Sequence, residues 1–438
     1  MKDRMRYLRL LALPVLFGLA AIIYQFPPIN ERLAWRLDSL RARIKYAVNP
    51  PQKEVFVPGD NPDQTGIPSP TAVPTATPHP TATTAPDTSP TPAPEATAAA
   101  PLSPTPSPTP LPTLAALTGI KHEYQKFNNC GPANLAMSLS YWGWEGDQNI
   151  TAAYLKPNQR DKNVMPYKMV AYVNEETQYK ALTRMGGTLD LMKRLIATGF
   201  PVIAETGFDN QLETEDFIGW MGHYEVVNAY DDAEGKFYLQ DSYLGPRIGS
   251  TYQDMKSRWR AFNYTFIVTY PPEKEELLFE VLGSYQDPAY GMQQAAATAS
   301  TEIYNLTEPR ARFFAWFNRG SSLVALDDYN GAATAYDEAF RIYPQIPEEE
   351  RPWRMMWYQT GPYWAYYYSG RYYDVINLAT QTIEAASEPA IEESWFWRAM
   401  ARNQLGNRSG AIADLRKALD LNDSYEIARR QLNELQNQ

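Results

Sequence analysis

Apolar and polar positions alternate in different ways along this chain, and each way predicts a different kind of structure. From Leu10 to Pro28 no charge interrupts the run, whose heart reads LLALPVLFGLAAIIY, and Lys2, Arg4, Arg6 and Arg9 give it a basic flank. A run of about 18 to 20 apolar residues spans a bilayer, and its basic flank stays in the cytoplasm. Residues 1–28 are therefore expected to be a cytoplasmic N-terminus and transmembrane anchor, with everything after them outside the cell. Gly18-Leu19-Ala20 is a small-x-small site, and cleavage there would instead give a secreted protein. Leu33, Leu37, Leu40 and Ile44 then recur at helical spacing. Residues 29–47 read as a juxtamembrane amphipathic helix, resting on the membrane surface or standing as a short solvated helix.

From Val48 the pattern disappears into Pro, Thr, Ala and Ser, as in SPTPAPEATAAAPLSPTPSPTPLPT. Such a segment buries too little apolar surface to fold. Residues 48–116 are expected to form a disordered stalk, extending at most ~3.1 Å per residue. His79 falls inside it, away from any packed site.

Periodicity returns in residues 117–272 as an α+β mixture. Pro132–Trp142 has helical spacing, with Leu135, Leu139 and Trp142 on one face, and Pro132 suits a first helical turn. Further helices are predicted from Pro166 to Asn174 and from Thr188 to Gly199. Strands are predicted at Tyr179–Leu182, Pro201–Glu205, Tyr224–Tyr230 and Lys236–Asp241, with a last one in FNYTFIVTY. Residues 273–300 read as a connector. From 301 to 438 the pattern is all-helical and repeats itself. Trp316, Gly320, Leu323, Ala332, Tyr336, Ala339 and Pro344 are echoed by Trp395, Ala399, Gly406, Ala411, Leu415 and Ala418. A degenerate middle copy holds Tyr366, Gly370, Tyr372, Val375 and Ala379, and Ser424–Leu435 reads as a capping helix. This resembles the tetratricopeptide repeat, in which large and small residues alternate so that paired helices pack closely. The resemblance implies a partner protein or peptide on the stack, and the aromatic run PYWAYYY at Pro362–Tyr368 is either a binding surface or packing.

Composition narrows the function. A net charge of -10 with no basic run beyond the first residues argues against nucleic acid. There is no phosphate-binding Gly-x-x-x-x-Gly-Lys, no His-Glu-x-x-His and no pair of cysteines, so no cofactor or metal is expected. The 438 residues contain one cysteine and three histidines. That cysteine, Cys130 in FNNCGPANL, falls at the predicted helix start, where the partial positive charge of the helix end lowers a thiol's pKa. His223 opens a predicted strand, and centring the following hairpin on Ala233 pairs Asp241 with Glu225, on the same face as His223. Asp231, Asp232 and Asn228 are neighbouring acceptors for the same imidazole. His122 reads as a surface or core residue. Trp142, Trp144, Trp220 and Tyr243 would line a cleft or fill the core.

Gln125, then Asn129-Cys130-Gly131-Pro132-Ala133, then Gly222-His223, then Asp241, resembles the papain-like peptidases related to the double-glycine leader peptidases of bacteriocin exporters. The resemblance runs from about Lys121 to Tyr270. It implies an α+β papain-like cysteine peptidase fold with Cys130 as nucleophile, His223 as base, Asp241 as its orienter and Gln125 in the oxyanion hole. Ser242 stands where that family more often has proline, and the chain lacks an exporter's transporter and ATP-binding parts. The expected function is a membrane-anchored extracellular cysteine peptidase acting on a peptide or protein substrate. A non-catalytic peptide-binding scaffold and an acyl transferase with the same triad are the alternatives.

Overall fold

The computed structural model describes residues 40–42, 44–59, 110–158, 160–209 and 219–437. The expected transmembrane anchor at 1–28 and most of the stalk lie outside the described residues. Among the described residues, no helix is long and apolar enough to cross a membrane.

The α+β part is built on one antiparallel sheet. Its strands are β1 (Leu114–Ala116), β2 (Lys180–Arg184), β3 (Val202–Asp209), β4 (Trp220–Asp231), β5 (Lys236–Asp241), β6 (Gly245–Thr251) and β7 (Phe266–Tyr270), in the order β2-β7-β3-β4-β5-β6, with β1 added to β4. Three helices, α1 (Cys130–Tyr141), α2 (Gln148–Leu155) and α3 (Pro166–Glu176), pack on one face. There Leu135, Leu139, Met169 and Val173 meet Ile203, Tyr224, Val226 and Ile267. On the other face α4 (Leu189–Ala197) and α5 (Tyr252–Arg260) place Leu191, Leu195, Met255 and Trp259 against Val202, Val227, Leu239 and Phe266. The alternation of β4 thus feeds two cores, which is why its pattern is nearly continuous in apolar residues. Thr188 caps α4 by accepting the Leu191 N–H at 3.0 Å, a helix start legible from the sequence.

The expected connector is folded. α6 (Glu275–Leu282) puts Leu278 and Leu282 into the sheet's second core. α7 (Pro288–Asn305) lies against the 185–187 turn. A Cβ on Gly186, whose φ is +73°, would sit 2.6 Å from the Gly291 carbonyl oxygen. The small-residue run GMQQAAATAS is what permits this approach.

Helical pairs follow: α8 (Pro309–Ala325) with α9 (Tyr329–Ile342), α11 (Gly361–Tyr368) with α12 (Tyr372–Ala385), α13 (Glu392–Gln404) with α14 (Arg408–Leu421), then α15 (Glu426–Asn437). A one-turn helix, α10 (Met355–Tyr358), stands between the first and second pairs. The large-small alternation works as expected: a Cβ on Gly320 would lie 2.7 Å from the Tyr336 ring. PYWAYYY is mainly packing, since Tyr363 and Tyr366 are fully buried while Tyr368 is exposed.

Residues 40–59 depart from expectation in part. Residues 40–42 and 44–48 are helical, as the spacing predicts, but 49–59, expected to begin the stalk, pack along the repeats. Tyr46 sets its ring edge-on to Trp353 at 5.3 Å and accepts the Ser387 N–H at 3.1 Å. Phe56 packs edge-on to Phe340 at 4.9 Å, and the Gly59 N–H donates to Asp374 Oδ1 at 2.8 Å. Of the predicted apolar face, Leu40 and Ile44 are exposed. The buried aromatics Tyr46 and Phe56, which a search for helical spacing passes over, decide how the segment packs. β1 extends the sheet three residues before the expected start of the α+β unit.

Phe56→Ala leaves a cavity between Phe340 and Tyr366, and is expected to destabilise the protein by about 3 kcal/mol. Chemical denaturation measured on both proteins checks this; an unchanged midpoint would mean that the packing of Phe56 adds nothing.

Candidate active site

α1 begins at Cys130 itself, with Asn129 as N-cap and Asn128 in a left-handed conformation at φ 53°. The half-buried thiol thus lies at the positive end of a twelve-residue helix. Asn134 Nδ2 fastens this helix start to the sheet, reaching the Cys130 carbonyl at 2.9 Å, the Tyr224 carbonyl at 2.6 Å and Ser242 Oγ at 2.9 Å. Beneath the same segment, the buried Lys156 ammonium donates to the Asn128 carbonyl at 2.9 Å and Asn129 Oδ1 at 3.2 Å.

His223 and Asp241 meet in the interior. Nε2 of the imidazole lies 3.0 Å from Asp241 Oδ1, and both side chains are buried. Oδ1 also accepts the Tyr243 N–H at 2.7 Å and the Leu244 N–H at 3.0 Å. With Nε2 engaged by Asp241, Nδ1 is the ring nitrogen left to face Cys130, and each of the two groups shifts the other's pKa. Phe208 covers the imidazole edge-on at 5.3 Å.

Register explains why this pair forms. The β4–β5 ladder runs Asp231↔Lys236, Tyr230↔Phe237, Ala229↔Tyr238, then Val227↔Leu239 and Val226↔Gln240, so Asn228 is an extra residue, a β-bulge. The turn is centred between Ala233 and Glu234, half a residue beyond the expected centre. Without the bulge, Asp241 would face Val226 and point away from His223. With it, the ladder ends at Val226↔Gln240, a register that sets Asp241 toward Glu225 and the face of His223. Leu117 holds the bulge: its N–H donates to the Asn228 carbonyl at 2.8 Å, and Asn228 Nδ2 donates to its carbonyl at 2.9 Å.

Gln125 joins the site through Ser242. Its N–H donates to the Ser242 carbonyl at 2.8 Å, and Ser242 Oγ donates to Gln125 Oε1 at 2.8 Å. Holding Oε1 turns the amide NH2, the donor an oxyanion needs, to the other side. The serine that departs from the family's usual proline therefore orients Gln125. Other candidates lie elsewhere. His122 Nδ1 pairs with Gln240 Oε1 at 3.2 Å, Asp231 caps the hairpin turn, and Asp232 binds Lys193 and Tyr252. The four aromatic residues are dispersed. Trp142 and Trp144 pack near α1, Trp220 is buried against Phe262, and Tyr243 lies beside Phe208.

The electrostatics favour a charged pair. Burial pushes the Cys130 thiol up, but the His223 hydrogen bond, the charges of His223 and Lys156, and the Gly131 N–H more than offset it, leaving the pKa below the ordinary thiol value. Burial pushes His223 down, yet the Asp241 carboxylate and the cysteine sulfur raise it well above the usual imidazole value. Asp241 is lowered despite burial, by His223 and the two backbone N–H groups. Glu205 is a different case: burial raises it to about 8, so it is a neutral acid at pH 7, accepting from Tyr224 Oη at 3.1 Å. Lys156, Glu205 and Tyr224 carry no motif that sequence reading could use, because only the packing of α2, β3 and β4 brings them near the sulfur.

His223, Glu225 and Asp241 offer donor atoms within 4.8 Å of one another. A metal there would have to break the His223–Asp241 bond and compete with Arg258, which is paired with Glu225.

Residues 117–267 match the Peptidase_C39 like family, and residues 315–346 and 392–425 match the tetratricopeptide repeat. The chain carries a Peptidase_C39-like domain followed by tetratricopeptide repeats. It is also similar to aryl-hydrocarbon-interacting protein-like 1. The Pan paniscus protein is 28% identical over 128 residues, 27% of this chain and 33% of the relative. The Papio cynocephalus protein is 29% identical, over 27% of this chain and 34% of the relative. The one from Mus musculus is 27% identical over 118 residues, 25% of this chain and 35% of the relative. The chain thus spans about a third of the length of these relatives.

Two measurements probe this C39-like site. The pH profile of Cys130 alkylation is expected to rise below the ordinary thiol pKa of about 8.5 and to shift upward in His223→Ala, which removes the cation that lowers it; coincident profiles would mean the two groups are not paired. Deleting Asn228 is expected to turn Asp241 away from His223 and produce the same upward shift, whereas an unaltered profile would show that the bulge does not set the pair.

Proposed function

We propose that the C39-like domain is a cysteine peptidase. The observation that carries this is the chain of contacts from the Cys130 thiol through His223 to Asp241, with a charge balance that lowers the thiol and raises the imidazole. A binding scaffold has no use for a buried ion pair held this way, since withdrawing charges from water is costly. In the proposed reaction the Cys130 thiolate attacks the scissile carbonyl carbon and forms a C–S bond, and the carbonyl oxygen becomes an oxyanion. The Gln125 amide and the Cys130 backbone N–H are the donors suited to receive it. As the C–N bond breaks, His223 gives its proton to the leaving amine. A water molecule, deprotonated by His223, then hydrolyses the thioester and releases the acid. Asp241 stays ionised throughout and keeps the imidazole in line.

The peptidase would act outside the cell, tethered through residues 1–28, and the tetratricopeptide stack would supply contacts to a substrate or partner protein. The support for tethering is the uncharged run and its basic flank.

Full-length protein in detergent, profiled on a peptide library, is expected to cleave a subset of peptides, and Cys130→Ala to abolish that cleavage. Gln125→Ala is expected to lower kcat about 10²-fold with little change in KM, the size of effect of losing one oxyanion donor. Cleavage that survives in Cys130→Ala would overturn the reading.

A further inference from the structure

Three segments of the site converge on one nitrogen. Asn134 stands one helical turn after Cys130 on the same face of α1 and is fully buried. Its Nδ2 lies 2.9 Å from the carbonyl of Cys130, 2.6 Å from the carbonyl of Tyr224, the residue after His223, and 2.9 Å from Oγ of Ser242, the residue after Asp241. Two of these neighbours are carbonyls, which only accept, so the atom they surround is the amide nitrogen and not the oxygen. Asn134 Oδ1, though buried, has no hydrogen-bond partner among the described residues. A buried acceptor left unpaired is costly, so this side chain is not kept for the sake of its own polar atoms.

An amide nitrogen cannot accept a hydrogen bond, and this fixes which way the next link runs. With Asn134 Nδ2 donating to its Oγ, Ser242 must send its own hydrogen elsewhere, and Gln125 Oε1 receives it at 2.8 Å. The Gln125 N–H on the Ser242 carbonyl, also at 2.8 Å, keeps the two residues side by side. Without Asn134 the Ser242 oxygen would be free to accept from Gln125 Nε2, and nothing would stop that amide from turning its oxygen toward the site. We infer that Asn134 is a positioning residue for Gln125: acting through Ser242, it sets the direction of a hydrogen-bond chain whose far end is the Gln125 NH2. The inference rests on the peptidase reading for naming Gln125 an oxyanion donor. Asn134 itself touches no reacting atom in this scheme.

Two reagents separate this role from the state of the thiol, and Cys130 is the only cysteine they can meet. Iodoacetamide is attacked at a saturated carbon: the C–S bond forms, iodide leaves, and no oxyanion arises. p-Nitrophenyl acetate is attacked at its carbonyl: the C–S bond forms, the carbonyl oxygen takes the negative charge, and p-nitrophenolate then leaves with the electron pair of the C–O bond. The ratio of acylation to alkylation in the full-length protein therefore reads the oxyanion donor, with acylation taken as the nitrophenolate burst that Cys130→Ala lacks. Gln125→Ala is expected to lower this ratio about 10²-fold. Asn134→Ala is expected to lower it about five- to tenfold, as the loss of one orienting hydrogen bond implies, and to lower it no further once Gln125→Ala is present. Should Asn134→Ala not fold, the near-isosteric Asn134→Asp, which puts an acceptor where the donor was and draws the Ser242 hydrogen back, serves in its place with the same expected loss. Ser242→Ala leaves Asn134 on both carbonyls and should lower the ratio likewise, while its alkylation profile overlies the wild type. A ratio unchanged in the Asn134 variant overturns the inference, as does a loss that multiplies with that of Gln125→Ala, because such an effect would not pass through Gln125. A wild-type ratio no higher than that of Gln125→Ala overturns it too. Both reagents read Cys130 directly, so a failure to cleave any peptide would remove the peptidase reading and leave this result standing.

Discussion

A buried thiol and imidazole can carry charge only where nearby charges and dipoles replace the lost hydration, and the groups packed around Cys130 and His223 lower the one pKa and raise the other. Asp241 supplies the counter-charge to His223 while its Oδ1 is itself held by two backbone N–H groups. Lys156 and the start of α1 supply positive potential on the sulfur side. None of these groups is useful unless placed to within a fraction of an ångström. The bulge at Asn228, the Asn134 amide and the Ser242 hydroxyl each cross from one element to another to hold them.

The same requirement accounts for how the two halves of the chain meet. The repeats meet the approach to His223 through Arg354, which donates to the Trp220 carbonyl, and through the Tyr358 ring packed against Trp220. They reach the helical side too, where Lys168 near the start of α3 is bracketed by Glu392 and Glu393 at 3.3 Å each. Cys130 belongs to the helical layer and His223 to the sheet, so a single stack touching both layers resists their separation. Residues 40–59 close the arrangement from outside by burying Tyr46 and Phe56 among repeat aromatics. Aromatic surface that would be open to a partner in an isolated stack is thereby partly taken up by the chain itself.

How much of this was legible depended on the range of the interaction. The tetratricopeptide pattern, the helix start at Cys130 and the cap at Thr188 depend on residues a few positions apart, and the sequence showed them. The pairing of His223 with Asp241 depends on an 18-residue separation across a hairpin, where one bulge residue decides the face. The expected register reached the right partner only because the bulge cancelled the offset of the turn. In residues 40–59 the spacing predicted the helix, but the packing is set by the aromatic area of Tyr46 and Phe56, while Leu40 and Ile44 stay exposed.

The sequence by itself therefore determined the elements and the candidate residues on them: a lone cysteine beginning a helix, a histidine on a strand, and a repeating helical stack. Local spacing is enough for these, because backbone periodicity maps neighbours in sequence onto one face. Only the tertiary structure decided which charges surround the sulfur, which face Asp241 takes, and that Tyr358, more than two hundred residues from Cys130, lies beside the strand that carries His223. Those outcomes come from packing between elements distant along the chain, and no periodicity within a single segment encodes them.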